Sequence, residues 1–430
     1  MIQPLRIEVI CTGDEVLTGK IVNSNYSYIA QKLEDHGFTV QRGVTVGDDR
    51  AALLAAFREA GVRSDAVIVN GGLGPTVDDL SQEVAAQAAG VGLELHEPWV
   101  ARMEAFFTAR GRVMPENNRK QALLPQGSEV LDNPVGTACG FALTIGHARF
   151  FFTPGVPREL FRMLEGEILP RLLQRAGAPG VIVLKRFHSY GLGESHVDQM
   201  LLGLEALVPE GRLKLGFRAH YPQLETKLTM RARDAAEARR LLEPAEAEVR
   251  ARLGNFILAE DNQTLEGVVL ELLKAQGAAL AVVEDFTGGQ IAARLAPQPG
   301  AEAVFRRGIV GRSLADVMAA LNLNGAQPGL THSPELAADM ARAAREQTGV
   351  SHALAVLVAL EGTQEDVSLT GSIHLALAGP EGVLTRRSRL AGGREWVRLG
   401  AVEMGLDCLR RHLQGLPLKE KTDFEKEPPR

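Results

Sequence analysis

The chain has 430 residues, 45% of them hydrophobic, and a formal net charge of −6. That length exceeds one ordinary core and points to two or three domains, while the acidic balance gives no electrostatic reason to expect nucleic acid and no apolar run reaches the ~18 residues of a membrane span. Cys11, Cys139 and Cys408 lie far apart without metal-type spacing, and Met1-Ile2-Gln3-Pro4-Leu5-Arg6 runs straight into a strand pattern, so a cytoplasmic, reducing setting is expected.

Residues 6–11 read as a first strand, and 24–37 as a helix with Ile29 and Leu33 on one face. Residues 39–46 form a second strand, 50–60 a second helix, and 66–69 a third strand feeding Asn70-Gly71-Gly72-Leu73-Gly74. A helix over 80–89 stops at Gly90. A fourth strand, 148–153, enters Pro154-Gly155-Val156-Pro157 and then a helix over 158–175. Short apolar runs alternating with amphipathic ones indicate a parallel sheet covered by helices. Ligands gather at strand carboxyl ends in such sheets. Thr12-Gly13-Asp14-Glu15, the Gly-Gly-Leu-Gly loop and Pro154-Gly155 are therefore expected to converge.

Ala176-Gly177-Ala178-Pro179-Gly180 has the composition of a hinge. After it, a strand (181–189), a helix (194–204), two strands (213–218 and 225–231) and a helix (235–253) make a small α+β unit. Alternation resumes with a helix over 264–276, a strand over 279–283 and helices over 287–295 and 334–347. Strands over 353–360 and 368–377 and a helix over 394–413 follow. The tail, 416–430, is charged and proline-bearing and reads as disordered.

The glycine loop carries the most chemistry. Its glycines let backbone approach a ligand closely, and the helix start after it offers unpaired N–H groups to an anion. Asp78 and Asp79 follow at once and would repel a phosphate unless a divalent cation stood between them. One carboxylate would hold the ion and the other would orient or deprotonate water. Plain helix N-terminal acids are the bland alternative. Asp14 and Glu15 are candidates to complete the metal shell, against a solvated loop; Asn23 and Ser24 could reach a nucleotide or merely cap a helix. Asn118, Arg119 and Lys120 could clamp pyrophosphate oxygens or lie on a solvated face.

Six motifs in order carry a resemblance: Thr12-Gly13-Asp14-Glu15, Asn23-Ser24-Asn25, Gly71-Gly72-Leu73-Gly74-Pro75-Thr76 with Asp78-Asp79, Asn118-Arg119-Lys120-Gln121-Ala122, Asn133-Pro134-Val135-Gly136-Thr137-Ala138 and Pro154-Gly155-Val156-Pro157. Together they resemble the competence/damage-inducible CinA family over nearly the whole chain. The resemblance implies an α/β fold throughout: a three-layer, mostly parallel molybdopterin-binding-like domain (1–177), a small α+β KH-like linker (181–258) and an α/β amidase-like domain (262–415). It implies ADP-ribose pyrophosphatase activity in the first domain, nicotinamide mononucleotide deamidase activity in the last, and a homodimer. Catalysis then falls to Asp78, Asp79 and Lys120, and nucleotide binding to Asn23, Ser24, Gly71, Gly72, Gly74, Thr76, Arg119, Gly136, Thr137, Pro154 and Gly155. Asp14, Glu15 and Asp78 would hold Mg²⁺, Mn²⁺ or Co²⁺, with K⁺ a further candidate ion.

The amidase-like domain departs from its pattern. Val283-Glu284-Asp285-Phe286-Thr287-Gly288-Gly289 places Asp285 where the family has its nucleophilic serine, and the family tyrosine falls on Arg312. Arg394 matches the family arginine. Between Ala275 and Leu418 there is no lysine and no tyrosine, so a serine nucleophile would lack a Lys base. His332, His352, His374 and His412 show no recognisable nucleophile pairing in sequence. Asp285, Thr287, Gly288, Arg312 and Arg394 thus outline a degenerate deamidase pocket. In the middle segment Gly191-Leu192-Gly193-Glu194 lacks the Gly-x-x-Gly spacing and basic charge of a nucleic-acid-binding KH loop.

The expected activity is metal-dependent cleavage of a nucleotide diphosphate bond; nucleotidyl transfer would use the same parts. A non-enzymatic protein with a recombination-related partner, or a surviving deamidase in pyridine nucleotide salvage, are the alternatives. A small-molecule nucleotide is the expected ligand, with no membrane and no nucleic acid.

Overall fold

A computed structural model describes residues 5–177, 181–323, 331–362, 369–420 and 422–426. Parts of the expected hinge (178–180), of the 368–377 strand (368) and of the tail (421 and 427–430) lie outside them. The chain divides into two compact units, 1–183 with 231–235 and 184–230 with 236–430. The KH-like and amidase-like segments thus pack within one unit. No described helix is long and apolar enough to cross a membrane.

In the first unit, strands β1 (Ile7–Thr12), β2 (Val40–Val46) and β3 (Ala66–Asn70) alternate with helices α1 (Asp14–Leu17), α2 (Ser24–Asp35), α3 (Arg50–Arg63) and α4 (Ser81–Ala89). There follow β4 (Leu93–Leu95), α5 (Glu97–Thr108), β5 (Leu123–Pro125), β6 (Glu129–Leu131), β7 (Gly140–Ile145), β8 (Ala148–Thr153), α6 (Pro157–Met163) and α7 (Leu169–Arg175). The main sheet has the order β2-β1-β3-β8-β7-β6, parallel from β2 to β8 and antiparallel beyond. β1 and β3 are buried at every residue, as strands covered on both faces must be. Phe57, Phe141, Phe150 and Phe152 pack on one face, and Ile29, Leu33, Leu160 and Leu164 on the other. The expected helix over 158–175 is interrupted by a π turn, Leu164–Ile168, because Pro170 cannot donate to an i−4 carbonyl.

The second unit opens with β9 (Val181–Tyr190), whose first residues belong to the first unit, then α8 (Glu194–Met200), β10 (Leu213–His220), β11 (Gln223–Ala232), α9 (Ala235–Leu253) and β12 (Ile257–Glu260), in a sheet of order β10-β11-β9-β12. Helix α10 (Leu265–Ala275) leads to β13 (Leu280–Glu284), α11 (Gln290–Leu295), α12 (Ala301–Val304), β14 (Phe305–Val310) and α13 (Leu314–Ala320). Then come α14 (Pro334–Thr348), β15 (His352–Glu361), β16 (Thr370–Gly379), β17 (Gly382–Ala391) and α15 (Arg394–Leu413). The sheet order is β14-β13-β15-β16-β17, parallel across β14, β13 and β15. Helix α11 starts at Gln290 rather than at 287, because Gly288 and Gly289 take φ of 68° and 82°.

Helix α15 is buried on nearly every side, charges included. Asp407 accepts from Arg410 Nε at 2.9 Å and from Arg411 Nε at 2.8 Å, and both arginines donate to the Asn255 carbonyl at 2.7 and 3.1 Å. The tail does not behave as its composition suggests over its described part. Thr422 is buried against Gly191, and Phe424 meets Tyr221 edge-on at 5.8 Å. Asp423 accepts from Gly193 N at 2.8 Å and pairs with His196 at 2.9 Å. A few anchors outweigh a polar composition. The three cysteines are buried and free.

Candidate active site and a second pocket

The three turns converge as the topology requires. β1, β3 and β8 are parallel neighbours, so their carboxyl ends share one edge. A cavity of 420 Å³ there is lined by Thr12, Glu15, Asp48, Gly71, Gly72, Gly74, Asp78, Asp79, Thr137, Pro154, Gly155 and Glu159, among others. Asn25 Nδ2 ties the edge together, donating to Asn70 Oδ1 at 3.0 Å and to the Gly155 carbonyl at 2.7 Å. Gly71, at φ 115°, must be glycine: a Cβ would lie 2.5 Å from Thr12 Oγ1 and 2.8 Å from its carbonyl. That Thr12 hydroxyl is buried and has no hydrogen-bond partner, and Thr12 is one of the residues that line the cavity. A buried orphan of this kind calls for a ligand or a water.

The two aspartates differ. Asp79 Oδ2 accepts from Thr76 N at 2.9 Å and from the Thr76 hydroxyl, folding the loop back on itself. Asp78 is exposed at the cavity rim, and the Thr76 hydroxyl beside it favours its ionised form. Lys120 Nζ donates to the Thr76 carbonyl at 2.6 Å, bracing the loop from outside the lining. Gln121 braces it from below, donating to the Leu73 carbonyl at 3.1 Å.

Several residues singled out from sequence lie elsewhere. Asn23 caps α2 by accepting from Tyr26 N at 3.0 Å, and neither it nor Ser24 lines the cavity. Asp14 N donates to Asp48 Oδ2 at 3.1 Å and Asp14 Oδ1 accepts from Asp48 N at 3.2 Å, and Asp14 also stays out of the lining. Arg119 turns towards Glu104, 3.9 Å away on α5. Gly136 packs on the Glu159 carboxylate, leaving Thr137 to face the cavity. Among the described residues no three His, Cys, Asp or Glu side chains form a closed metal-ligand group, so Asp14, Glu15 and Asp78 are not a preassembled set.

Two acids escaped sequence reasoning. Burial pushes the Asp48 carboxyl up, with the Asp14, Glu15 and Asp78 carboxylates adding to it and the Asp14 amide opposing. Glu159 is also pushed up by burial, against a hydrogen bond from Asn133 Nδ2 at 2.6 Å. Asp48 precedes the α3 cap Asp49 and reads as one more capping acid; Glu159 reads as a first-turn helix acid.

Three family profiles match the chain in order: "Probable molybdopterin binding domain" over residues 8–174, "Damage-inducible protein CinA KH domain" over 185–259 and "CinA C-terminal domain" over 262–413. A CinA-like protein of Frankia casuarinae is 40% identical over 430 residues, spanning 97% of this chain and 98% of the relative. This chain belongs to the CinA family. A CinA-like protein of Shewanella sediminis is 38% identical across 96% of each chain. Among solved structures, the CinA protein of Thermoplasma acidophilum is 34% identical over 39% of this chain and 98% of its own, with a TM-score of 0.36.

The C-terminal CinA domain holds a second cavity, of 480 Å³, lined by Asp285, Gly288, Arg312, His332 and Arg394 among others. Thr287 is not part of it: its hydroxyl turns inward to Glu284 Oε2 at 2.6 Å, where Glu284 also accepts from Ile291 N and Ala292 N at 3.0 and 2.9 Å. Glu284 is thus the anchor of the glycine turn. Sequence shows no histidine in a nucleophile pairing; in the fold His332 Nε2 lies 2.7 Å from Asp285 Oδ2, a carboxylate partner. Forty-seven residues separate the two, and only the fold brings them together.

Proposed function

We propose that the strand-end cleft of the first unit hydrolyses the diphosphate bond of a nucleotide, with ADP-ribose, cleaved to AMP and ribose 5-phosphate, as the substrate that the family resemblance favours. One observation carries the reading: Thr12, whose buried hydroxyl has no partner, lines the same cavity as the glycine loop and five carboxylates. Backbone amides of Gly72 to Gly74 bind phosphate oxygens at close range, the Gly71 amide being taken by the Thr153 carbonyl at 2.9 Å. Asp79 and Lys120 keep that loop in place. Asp48, whose raised proton affinity brings it nearer neutrality, accepts the proton of the attacking water.

The acids fit a hard divalent ion, because all the donors are carboxylate oxygens and their crowding already favours protonation of Asp48. Mg²⁺ commonly binds through one or two carboxylates plus substrate phosphates and water, so an open acidic lining suits it better than a closed cage. Glu15 and Asp78 would hold the ion, which when bound neutralises diphosphate oxyanions. Purified protein incubated with ADP-ribose and Mg²⁺, Mn²⁺ or Co²⁺ is expected to release AMP and ribose 5-phosphate. Absence of both products with all three ions refutes the assignment. Serine-dependent deamidation is not expected of the second unit, where Asp285 occupies the nucleophile position.

A further inference from the structure

Two histidines that neither cavity uses meet at the other end of the C-terminal sheet. His352 opens β15, and His412 lies in the last turn of α15. The second cavity sits at the carboxyl ends of β13 and β15, so His352, at an amino end, belongs to the opposite edge. The two ring centroids are 5.5 Å apart, with the ring planes at 63°. Both rings border the space over Gly379, where a Cβ would lie 3.4 Å from His412 Nε2 and 3.6 Å from His352 Nε2. Two imidazoles bound to one ion at ~2.0–2.1 Å, with a near-tetrahedral angle between them, put their centroids roughly 5–5.5 Å apart. The observed spacing is that of a shared ligand pair.

The surrounding hydrogen bonds set the tautomer that ligation needs. Ser351 Oγ accepts from Ala279 N at 2.8 Å and gives its one proton to the Ala279 carbonyl at 3.0 Å. Its 2.9 Å contact with His352 Nδ1 is therefore a bond donated by the ring, which leaves the lone pair on Nε2. An outer partner on one ring nitrogen, with the other nitrogen free, is the usual setting of a metal-bound histidine. Neither Nε2 has a hydrogen-bond partner among the described residues. Burial lowers the proton affinity of both rings; the neighbouring ring and Arg345 add to this at His352, and Glu381 opposes it at His412. Neutral imidazole is the form that ligates. His352 is buried and His412 half-buried, so an ion enters from the α15 side.

We propose that His352 and His412 hold one divalent transition-metal ion of the Zn²⁺, Ni²⁺ or Cu²⁺ class through their Nε2 atoms, with water completing the shell. Two imidazole nitrogens select these ions over Mg²⁺, which prefers oxygen. The negative carbonyl end of α15 favours a cation in its last turn. The site is structural: it ties the start of β15 to the end of α15, the helix from which the tail departs. It rests on none of the nucleotide chemistry proposed for the first unit, whose ion is held by carboxylates. Ser351 is a positioning residue for the ligand His352.

Untagged full-length protein, stripped with EDTA and returned to excess Mg²⁺ to satisfy the carboxylate cavity, is titrated calorimetrically with Zn²⁺, Ni²⁺ and Cu²⁺. One equivalent is expected to bind and to raise the melting temperature. The Cu²⁺-loaded protein is expected to show an EPR spectrum split by two imidazole nitrogens. H352Q and H412Q, their metal-free melting temperatures checked against wild type, are each expected to abolish that binding. S351A, which releases the tautomer, is expected to weaken it about 10-fold. Should H352Q melt early, H412Q, on the half-buried ring, decides alone. H332Q, in the second cavity, is expected to leave binding intact, and ADP-ribose cleavage with Mg²⁺ is expected to be unaltered in H412Q. Binding of none of the three ions, binding that survives H412Q, or binding lost in H332Q overturns the proposal.

Discussion

Both units place a cavity at the carboxyl end of a parallel strand followed by two positive-φ glycines, Gly71-Gly72 after β3 and Gly288-Gly289 after β13. The shared backbone device gives opposite electrostatics. The first cavity is lined by Glu15, Asp48, Asp78, Asp79 and Glu159 and by no lysine or arginine; the second sets Arg312 and Arg394 against Asp285. An anionic ligand entering the first needs a counter-ion, whereas in the second the chain supplies the positive charge itself. A glycine turn therefore fixes where a ligand approaches, and the side chains around it fix which ligand is tolerated.

That contrast breaks first at Asp48. D48N is expected to lower ADP-ribose hydrolysis by about 10²–10⁴-fold, with an unchanged melting curve, if Asp48 takes the proton. Chelation with EDTA should reduce wild-type activity as deeply. Full activity in EDTA would remove the counter-ion from the first cavity and erase the electrostatic distinction.

Asp407 probes the opposite case, where charge is buried without chemistry. D407A leaves Arg410 and Arg411, each about 2% exposed or less, without their shared carboxylate. A loss of about 3–5 kcal/mol is expected for such a broken buried pair, read by denaturant unfolding. A change under ~1 kcal/mol would mean that the Asn255 carbonyl, with Glu420 as a second partner for Arg411, suffices to hold the arginines. Next in size is G71A. A Cβ at φ 115° and 2.5 Å from Thr12 Oγ1 forces the loop to shift, costing about 1–3 kcal/mol and raising KM for ADP-ribose. G90A, also at positive φ but with open space around it, separates backbone strain from crowding in the cleft.

What was legible in the sequence follows a physical divide. The first sheet was readable because 66–69 and 148–153 are short apolar runs ended by glycine or proline, and adjacent parallel strands must exit on one edge. Acids adjacent to each other, such as Asp78-Asp79, drew attention; Asp48 and Glu159, each beside a helix start, did not, because capping explains them equally well. β17 was missed because Arg386, Arg387 and Arg389 break its apolar alternation, and the buried Arg386 finds Glu425 and the Leu418 and Glu420 carbonyls, partners from the tail. The Asp285–His332 pair is tertiary by nature. No local period or spacing announces a contact between a strand end and the residue before the α14 cap.

The smallest expected effect compares how the two units meet acid. In the first, the Arg6 guanidinium holds the Asp65 carboxyl down at about 2; in the second, Arg250 holds Glu260 down at about 2, with Lys185 assisting. A carboxylate depressed on folding stabilises the native state above its unfolded pKa of ~4.3, and that stabilisation is lost as pH falls through the folded value. The sensitive window for Glu260 therefore runs from about pH 5 down to about 2. Its side chain is 26% exposed, so solvent screening limits the contribution to on the order of 1 kcal/mol. E260Q is expected to lower stability at pH 7 by about that amount and to flatten the acid limb of the second unit's unfolding curve. D65N should do the same for the first unit alone. If either variant flattens both limbs, the two units do not unfold independently, and a single cooperative transition links the cavities through stability rather than chemistry.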